Sequence, residues 1–262
     1  MTAAPDVVKA CCASAYSSPA ARWLLGDSYH PGGAELTGRL VRALEVGPGA
    51  TVLDVASGAG TSALQAAREA GCRVVGIDLS EESVASAGRA AADAGLDDRV
   101  RFLHGDAEAI PLPDVSAVGV LCECSLCLFP DKEMAAAEFA RVLVPGGRLA
   151  LSDVTAAAEL PTELRSLNAW MACLADARPL EGIAELLEEA GFAIVRTERH
   201  DAALDALLDR VEGRLRVARI AGNLLPSEIG RGTERWLGLV AAAREAVRDG
   251  LLGYGVVVAA RR

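Results

Sequence analysis

The chain has 262 residues, 52% of them hydrophobic and 24% charged, a balance that lets a globular protein bury a sizeable core. Its net charge of −10 argues against nucleic acid as a partner, because phosphates need a basic surface. No apolar run approaches the roughly 18 residues that a membrane span requires, so no membrane partner is expected.

The N-terminus carries Asp6 and Lys9 and lacks the apolar core of a signal peptide, which makes the cytoplasm the expected compartment. Residues 5–25 read as helix broken near Pro19, with Cys11-Cys12 and an apolar set that includes Tyr16, Trp23, Leu24 and Leu25. A breaker-rich turn, Gly26 to Gly33, contains Tyr29 and His30. The spacing of Leu36, Leu40, Val41 and Leu44 then predicts a helix over 34–44.

From residue 51 the pattern alternates. Val52-Leu53-Asp54-Val55 reads as a buried strand, followed by a turn carrying Gly58 and Gly60 and a helix from about Thr61. Such glycines let the backbone approach a ligand closely, and the helix start offers N–H groups above the strand end. Strand 73–78 ends in Asp78, and strand 99–104 leads into Gly105-Asp106. Helices are expected at 61–71, 81–95 and 131–143, with further strands at 117–122 and, after the turn Pro145-Gly146-Gly147, at 147–153. This order implies right-handed crossovers and a parallel sheet covered on both faces, with ligands outside the carboxyl ends of its strands. Residues 160–190 read as helices, 192–195 and 254–258 as the sixth and seventh strands, and 201–249 as a helical insertion between them. That insertion is either a substrate cover or a dimer surface, so a homodimer is open.

Three acid-tipped strands with this glycine turn resemble the class I S-adenosylmethionine-dependent methyltransferases over roughly residues 45–200. The resemblance implies an α/β, Rossmann-like sheet with helices on both faces and an N-terminal helical lid (1–45) over a cofactor-binding core (46–200). The helical insertion (201–250) before the last strand (251–262) departs from the family, which usually has a short hairpin there. No internal repeat or low-complexity linker divides the chain, so 1–262 is expected to form one domain. The resemblance also implies S-adenosylmethionine as cofactor. Asp54 and the turn Ala56, Ser57, Gly58, Gly60 and Thr61 would hold its methionine part. Asp78, with Leu79 beside it, would bind the ribose, and Asp106-Ala107 would lie beside the adenine. Tyr29 and His30 become candidate lid and substrate residues, or else a surface loop with an aromatic anchor. A nucleotide-binding sheet of another kind is the alternative.

Seven cysteines in such a chain are core residues, ligands or reactive thiols rather than a disulfide framework. Cys122, Cys124 and Cys127 stand at the end of the fourth strand; in an extended strand Cys122 and Cys124 would share a side. Cys122 either lines the cofactor pocket through its backbone or belongs to the core, and Cys72 and Cys127 read as small buried hydrophobes. The Cys-x-Cys-x-x-Cys spacing lacks the second cluster of a zinc site, so no metal is expected. Cys124 ahead of Leu128-Phe129-Pro130-Asp131-Lys132, with Arg141 to Gly147 and Ser152-Asp153-Val154, resembles the arsenite methyltransferases. That resemblance implies Cys124, Cys173 (in a helical region) and one of the pair Cys11-Cys12, with Cys12 as the candidate, as catalytic thiolates holding arsenic(III), soft ligands for a thiophilic substrate. The competing expectations are a small organic acceptor, contacted by Tyr29, His30 or Glu123, and a non-catalytic cofactor- or metalloid-binding protein.

Overall fold

The computed structural model describes residues 4–26, 28–166, 169, 172–221 and 232–262. Two short helices open it, α1 (Pro5–Ser17) and α2 (Pro19–Leu25). Pro19 lacks an N–H, so the helix breaks there, and the Ser18 hydroxyl restarts it by accepting the Ala21 N–H at 3.1 Å. Helix α3 (Gly33–Ala43) buries Leu36, Leu40 and Val41 along one face. The alternating part follows as β1 (Thr51–Val55), α4 (Thr61–Ala70), β2 (Arg73–Asp78), α5 (Glu81–Asp93), β3 (Val100–His104), β4 (Ala117–Glu123), α6 (Lys132–Val142) and β5 (Leu143–Ala156). The chain closes with α7 (Leu180–Glu189), β6 (Phe192–Arg199), α8 (Asp201–Ala221), α9 (Thr233–Arg248) and β7 (Leu252–Arg261).

The strands form one sheet in the order β3-β2-β1-β4-β5-β7-β6. The β1–β2, β2–β3, β1–β4 and β4–β5 pairs are parallel. β7 departs from the parallel expectation, running antiparallel to both β5 and β6. The reason is the connection: α8 and α9 pack on each other as a hairpin and return the chain to the sheet edge at which β6 ended. Alternate strand residues feed two cores. Val52, Leu121, Ala150 and Val256 face α3, α4, α8 and α9, whereas Leu53, Val120, Leu149 and Val257 face α6 and α7. The sheet is therefore covered on both sides, as the sequence pattern requires.

Two further expectations shift. Pro145-Gly146-Gly147 lies inside β5 as a bulge, because Ala117 pairs with Leu143 while Gly119 pairs with Arg148. Cys173, expected in a helix, sits in a turn with left-handed backbone, φ 62°. The helical reading of the insertion fits its described residues, and its segment 222–231 lies outside them.

Candidate active site

The carboxyl ends of β1, β2 and β4, with the loop after β3, surround a cavity of about 160 Å³. Asp54, Ala56, Ser57, Gly58 and Thr61 line it from the first turn, Asp78 and Leu79 from the second, and Asp106 and Ala107 from the third. The turn is tightly wound, with Ala56 at φ 55° and Gly58 at φ 52°. A Cβ on Gly58 would meet nothing within 4 Å, so its bare backbone faces open space. Gly60 works differently. It does not line the cavity, and a Cβ there would sit 2.6 Å from Phe102, so it is a packing glycine beneath the turn.

The donor set fits S-adenosylmethionine. Asp54 Oδ2 and Ser57 Oγ are buried and find no hydrogen-bond partner among the described residues, although both residues line the cavity. A ligand carrying ammonium and hydroxyl groups would satisfy both atoms. Burial, then the neighbouring Glu123 and Asp78 carboxylates, raise the Asp54 pKa well above the usual carboxylate range. Asp78 is held in place: Oδ2 accepts the Gly58 N–H at 2.8 Å and Oδ1 the Ser80 N–H at 2.9 Å. Each of its oxygens keeps a lone pair for a hydroxyl.

Helix α1 roofs the cavity through Lys9, Cys12 and Tyr16, joined by Tyr29 and His30 from the following turn. Lys9, which the sequence marks only as a charge near the N-terminus, reaches Asp106 at 2.7 Å and Glu108 at 2.5 Å and ties the roof to the loop after β3. His30 is buried, its Nδ1 3.1 Å from the Pro31 carbonyl and its Nε2 3.3 Å from Thr37 Oγ1. Glu123 closes the floor, accepting hydrogen bonds from Ser62 at 2.6 Å and Thr37 at 3.1 Å.

The thiols divide. Cys122 points into the core under α6, 3.2 Å from Ser125 Oγ, and does not line the cavity with its neighbours Glu123 and Cys124. Cys124 does not share its side, because β4 ends at Glu123 and Cys124 adopts φ 52°. Cys72 is a core residue, as its apolar setting suggests. Around Cys173 gather Tyr16, whose hydroxyl lies 3.3 Å from Sγ, together with Cys124 and Cys127. Hydrogen bonds from Cys124 foremost, then Cys127 and Tyr16, hold the Cys173 pKa well below the usual thiol value, against the effect of burial. Burial, the Cys173 charge and Cys11 push Cys12 up to about 12. Asp153, which accepts the Cys127 N–H at 2.9 Å, is pushed up to about 7 by burial and Cys173. Buried Lys132 pairs with Asp176 and donates to the Phe129 carbonyl at 2.9 Å, which anchors the turn carrying Cys173 to α6. Among the described residues no group of three His, Cys, Asp or Glu side chains is placed to hold a metal ion.

A second cavity, about 250 Å³, lies beyond Tyr16, Tyr29 and Cys124, which line both. The two tyrosine rings stand 6.2 Å apart, tilted by 35°, where the cavities adjoin. Cys173 lines this second chamber and Cys12 the first.

A family model described as a methyltransferase domain matches residues 47–191, more than half of the chain. The chain belongs to this family, the class I S-adenosylmethionine-dependent methyltransferases. It is 33% identical over 165 residues to an arsenite methyltransferase of Halobacterium salinarum, covering 62% of this chain and 42% of that protein. It is 34% identical over 172 residues to the methyltransferase GfsG of Streptomyces halstedii, covering 64% of this chain and 62% of that protein. The match thus spans about half the length of these relatives. Among solved structures, the (4+2)-cyclase SpnF superposes with a TM-score of 0.74 at 27% identity, over 87% of this chain and 81% of that one. No helix among the described residues is long and apolar enough to cross a membrane.

Proposed function

We propose that this chain transfers a methyl group from S-adenosylmethionine to a small acceptor presented beside Tyr16, Tyr29 and Cys124. The observation that carries the proposal is the pair of unsatisfied buried atoms, Asp54 Oδ2 and Ser57 Oγ, in a cavity at the strands' carboxyl ends. Bound there, S-adenosylmethionine supplies an electrophilic methyl group on a sulfonium. Asp54 and the Gly58 turn would hold one end of it, Asp78 would orient the ribose, and Asp106 and Ala107 would flank the base. The α1 roof excludes water, so that positioning and desolvation supply the rate enhancement. An acceptor heteroatom held there would take the methyl group from the sulfonium, whose sulfur would become a neutral thioether, and a hydroxyl, thiol or amine acceptor would give its proton to solvent. In this reading residues 1–262 act as one domain, with 1–45 as its lid.

A second reading, arsenic(III) as acceptor, is favoured by the thiols gathered where the cavities adjoin and by the arsenite methyltransferase relative. Cys124 and Cys173 would hold the arsenic, with Cys12 or an outside thiol as the third sulfur. Its lone pair would attack without a base. The test is S-adenosylhomocysteine production by purified protein with a thiol reductant, with and without arsenite. Arsenite-dependent product, lost in Cys124→Ser and Cys173→Ser, supports arsenic. Tight cofactor binding without such product sends the search to organic acceptors. Failure to bind S-adenosylmethionine at all overturns both readings.

A further inference from the structure

The second cavity lies outside every strand–turn motif that defines the cofactor site, and its walls have a consistent chemistry. Helix α8 contributes Leu204, Leu208 and Val211, helix α9 contributes Trp236 and Val240, and α2 contributes Trp23. Arg214 of α8 donates to the carbonyls of Trp23 and Leu24 at 2.9 and 3.0 Å, fastening these walls together. Tyr16, Cys124 and Cys173 meet on the side that adjoins the cofactor cavity, and the hydroxyl of Ser18, also in the lining, is engaged by the Ala15 carbonyl and the Ala21 N–H. The chamber is therefore polarised, apolar in its depth and able to form hydrogen bonds at the mouth that it shares with the cofactor cavity.

We propose that this chamber is the acceptor subsite and that it takes a lipophilic organic molecule with its nucleophilic heteroatom at one end. The assignment rests on the methyl-transfer reading and names the acceptor class for it. The hydrocarbon part fills the space between α2, α8 and α9, and the heteroatom stays at the Tyr16–Tyr29–Cys124 mouth, next to the cofactor. Size supports the assignment. Apolar cavities of roughly 150 Å³ lined by such side chains remain dry and admit a benzene-sized molecule. At about 250 Å³ this one has room for more than a single ring. A water-filled cavity would need several polar partners in its depth, and the Leu, Val and Trp walls offer few. The insertion between β6 and β7 thereby gains a role as the specificity-determining element.

The test uses n-alkanols from 1-butanol to 1-octanol as probes, titrated into the 262-residue chain saturated with S-adenosylhomocysteine. Tryptophan emission is the readout, since Trp23 and Trp236 line the chamber. Affinity should rise about three- to fourfold per methylene. Val211→Asp, at a half-buried wall position, should weaken 1-octanol at least tenfold, and Val211→Phe should stop the rise at a shorter chain. Both variants should keep wild-type S-adenosylhomocysteine affinity, measured separately by calorimetry. A protein that binds S-adenosylhomocysteine but shows no chain-length dependence overturns the chamber assignment alone. So does 1-octanol binding that neither Val211 variant changes. Loss of S-adenosylhomocysteine binding in the wild type overturns the methyl-transfer reading, and the acceptor assignment falls with it.

Discussion

Asp54 is a buried carboxyl with Glu123 and Asp78 nearby and one oxygen unsatisfied. With its pKa raised, it holds a proton in the ligand-free site at pH values where an ordinary carboxyl, near 4, has lost it. A cationic ligand favours the ionised form and lowers that pKa, so binding S-adenosylmethionine should release a proton. Affinity should then climb as pH rises from about 4 toward the raised value, by up to tenfold per unit, and level off above it. Calorimetry in two buffers of different ionisation enthalpy reads the proton directly. Asp54→Asn should abolish the release and weaken binding roughly ten- to hundredfold, the loss of a charged hydrogen bond of about 1.5–3 kcal/mol. A buffer-independent heat in the wild type would sink this account. Asp54, Ser57 and Asp78 were legible in the sequence because a parallel strand's end is fixed at the ligand edge by topology. The opposite sides taken by Cys122 and Cys124 were not, because period-two reasoning assumes an extended chain and Cys124 turns left-handed just where the strand stops. Tyr16 counted as one apolar residue among several, and only the fold brings its hydroxyl to Cys173.

At the scale of elements, the roof is held down by a few contacts. Helix α1 meets the loop after β3 through Lys9, and both of that lysine's partners are acidic. Lys9→Met should speed cofactor dissociation about fivefold, the equivalent of ~1 kcal/mol for a partly exposed pair. Added salt should speed dissociation from the wild type and leave the variant unchanged, since screening acts only where the charges remain. Stopped-flow release of S-adenosylmethionine measures both, and equal salt sensitivity in the two proteins would remove the ion pair from the account. The α1–α2 break could be read from Pro19 alone. The partners of α8 and α9 could not, because helical periodicity reveals an apolar face without saying what it meets. That is why the insertion's part in walling a chamber emerged only from the fold.

For the whole molecule, the deciding feature is the order β5-β7-β6, in which Arg148 pairs with Ala260 and Phe192 with Arg261. The alternation of strands and helices exposed the parallel half in the sequence, whereas the direction of β7 depends on how many helices precede it. A consequence concerns synthesis. While the chain is still being made, β1 to β5 can assemble as soon as they leave the ribosome, but the outer edge of β5 stays bare and β6 has no neighbour. Roughly sixty more residues must follow before β7 arrives, about 3–12 seconds at ordinary elongation rates. Through that interval the row of unpaired backbone groups along the outer edge of β5 is open to other nascent chains. Ribosome-bound chains stalled at residue 245 should therefore recruit chaperones and resist folding, while release of tethered chains that include residues 252–261 should restore protease resistance. Equal protease resistance at both lengths would show that the sheet can mature without its penultimate strand.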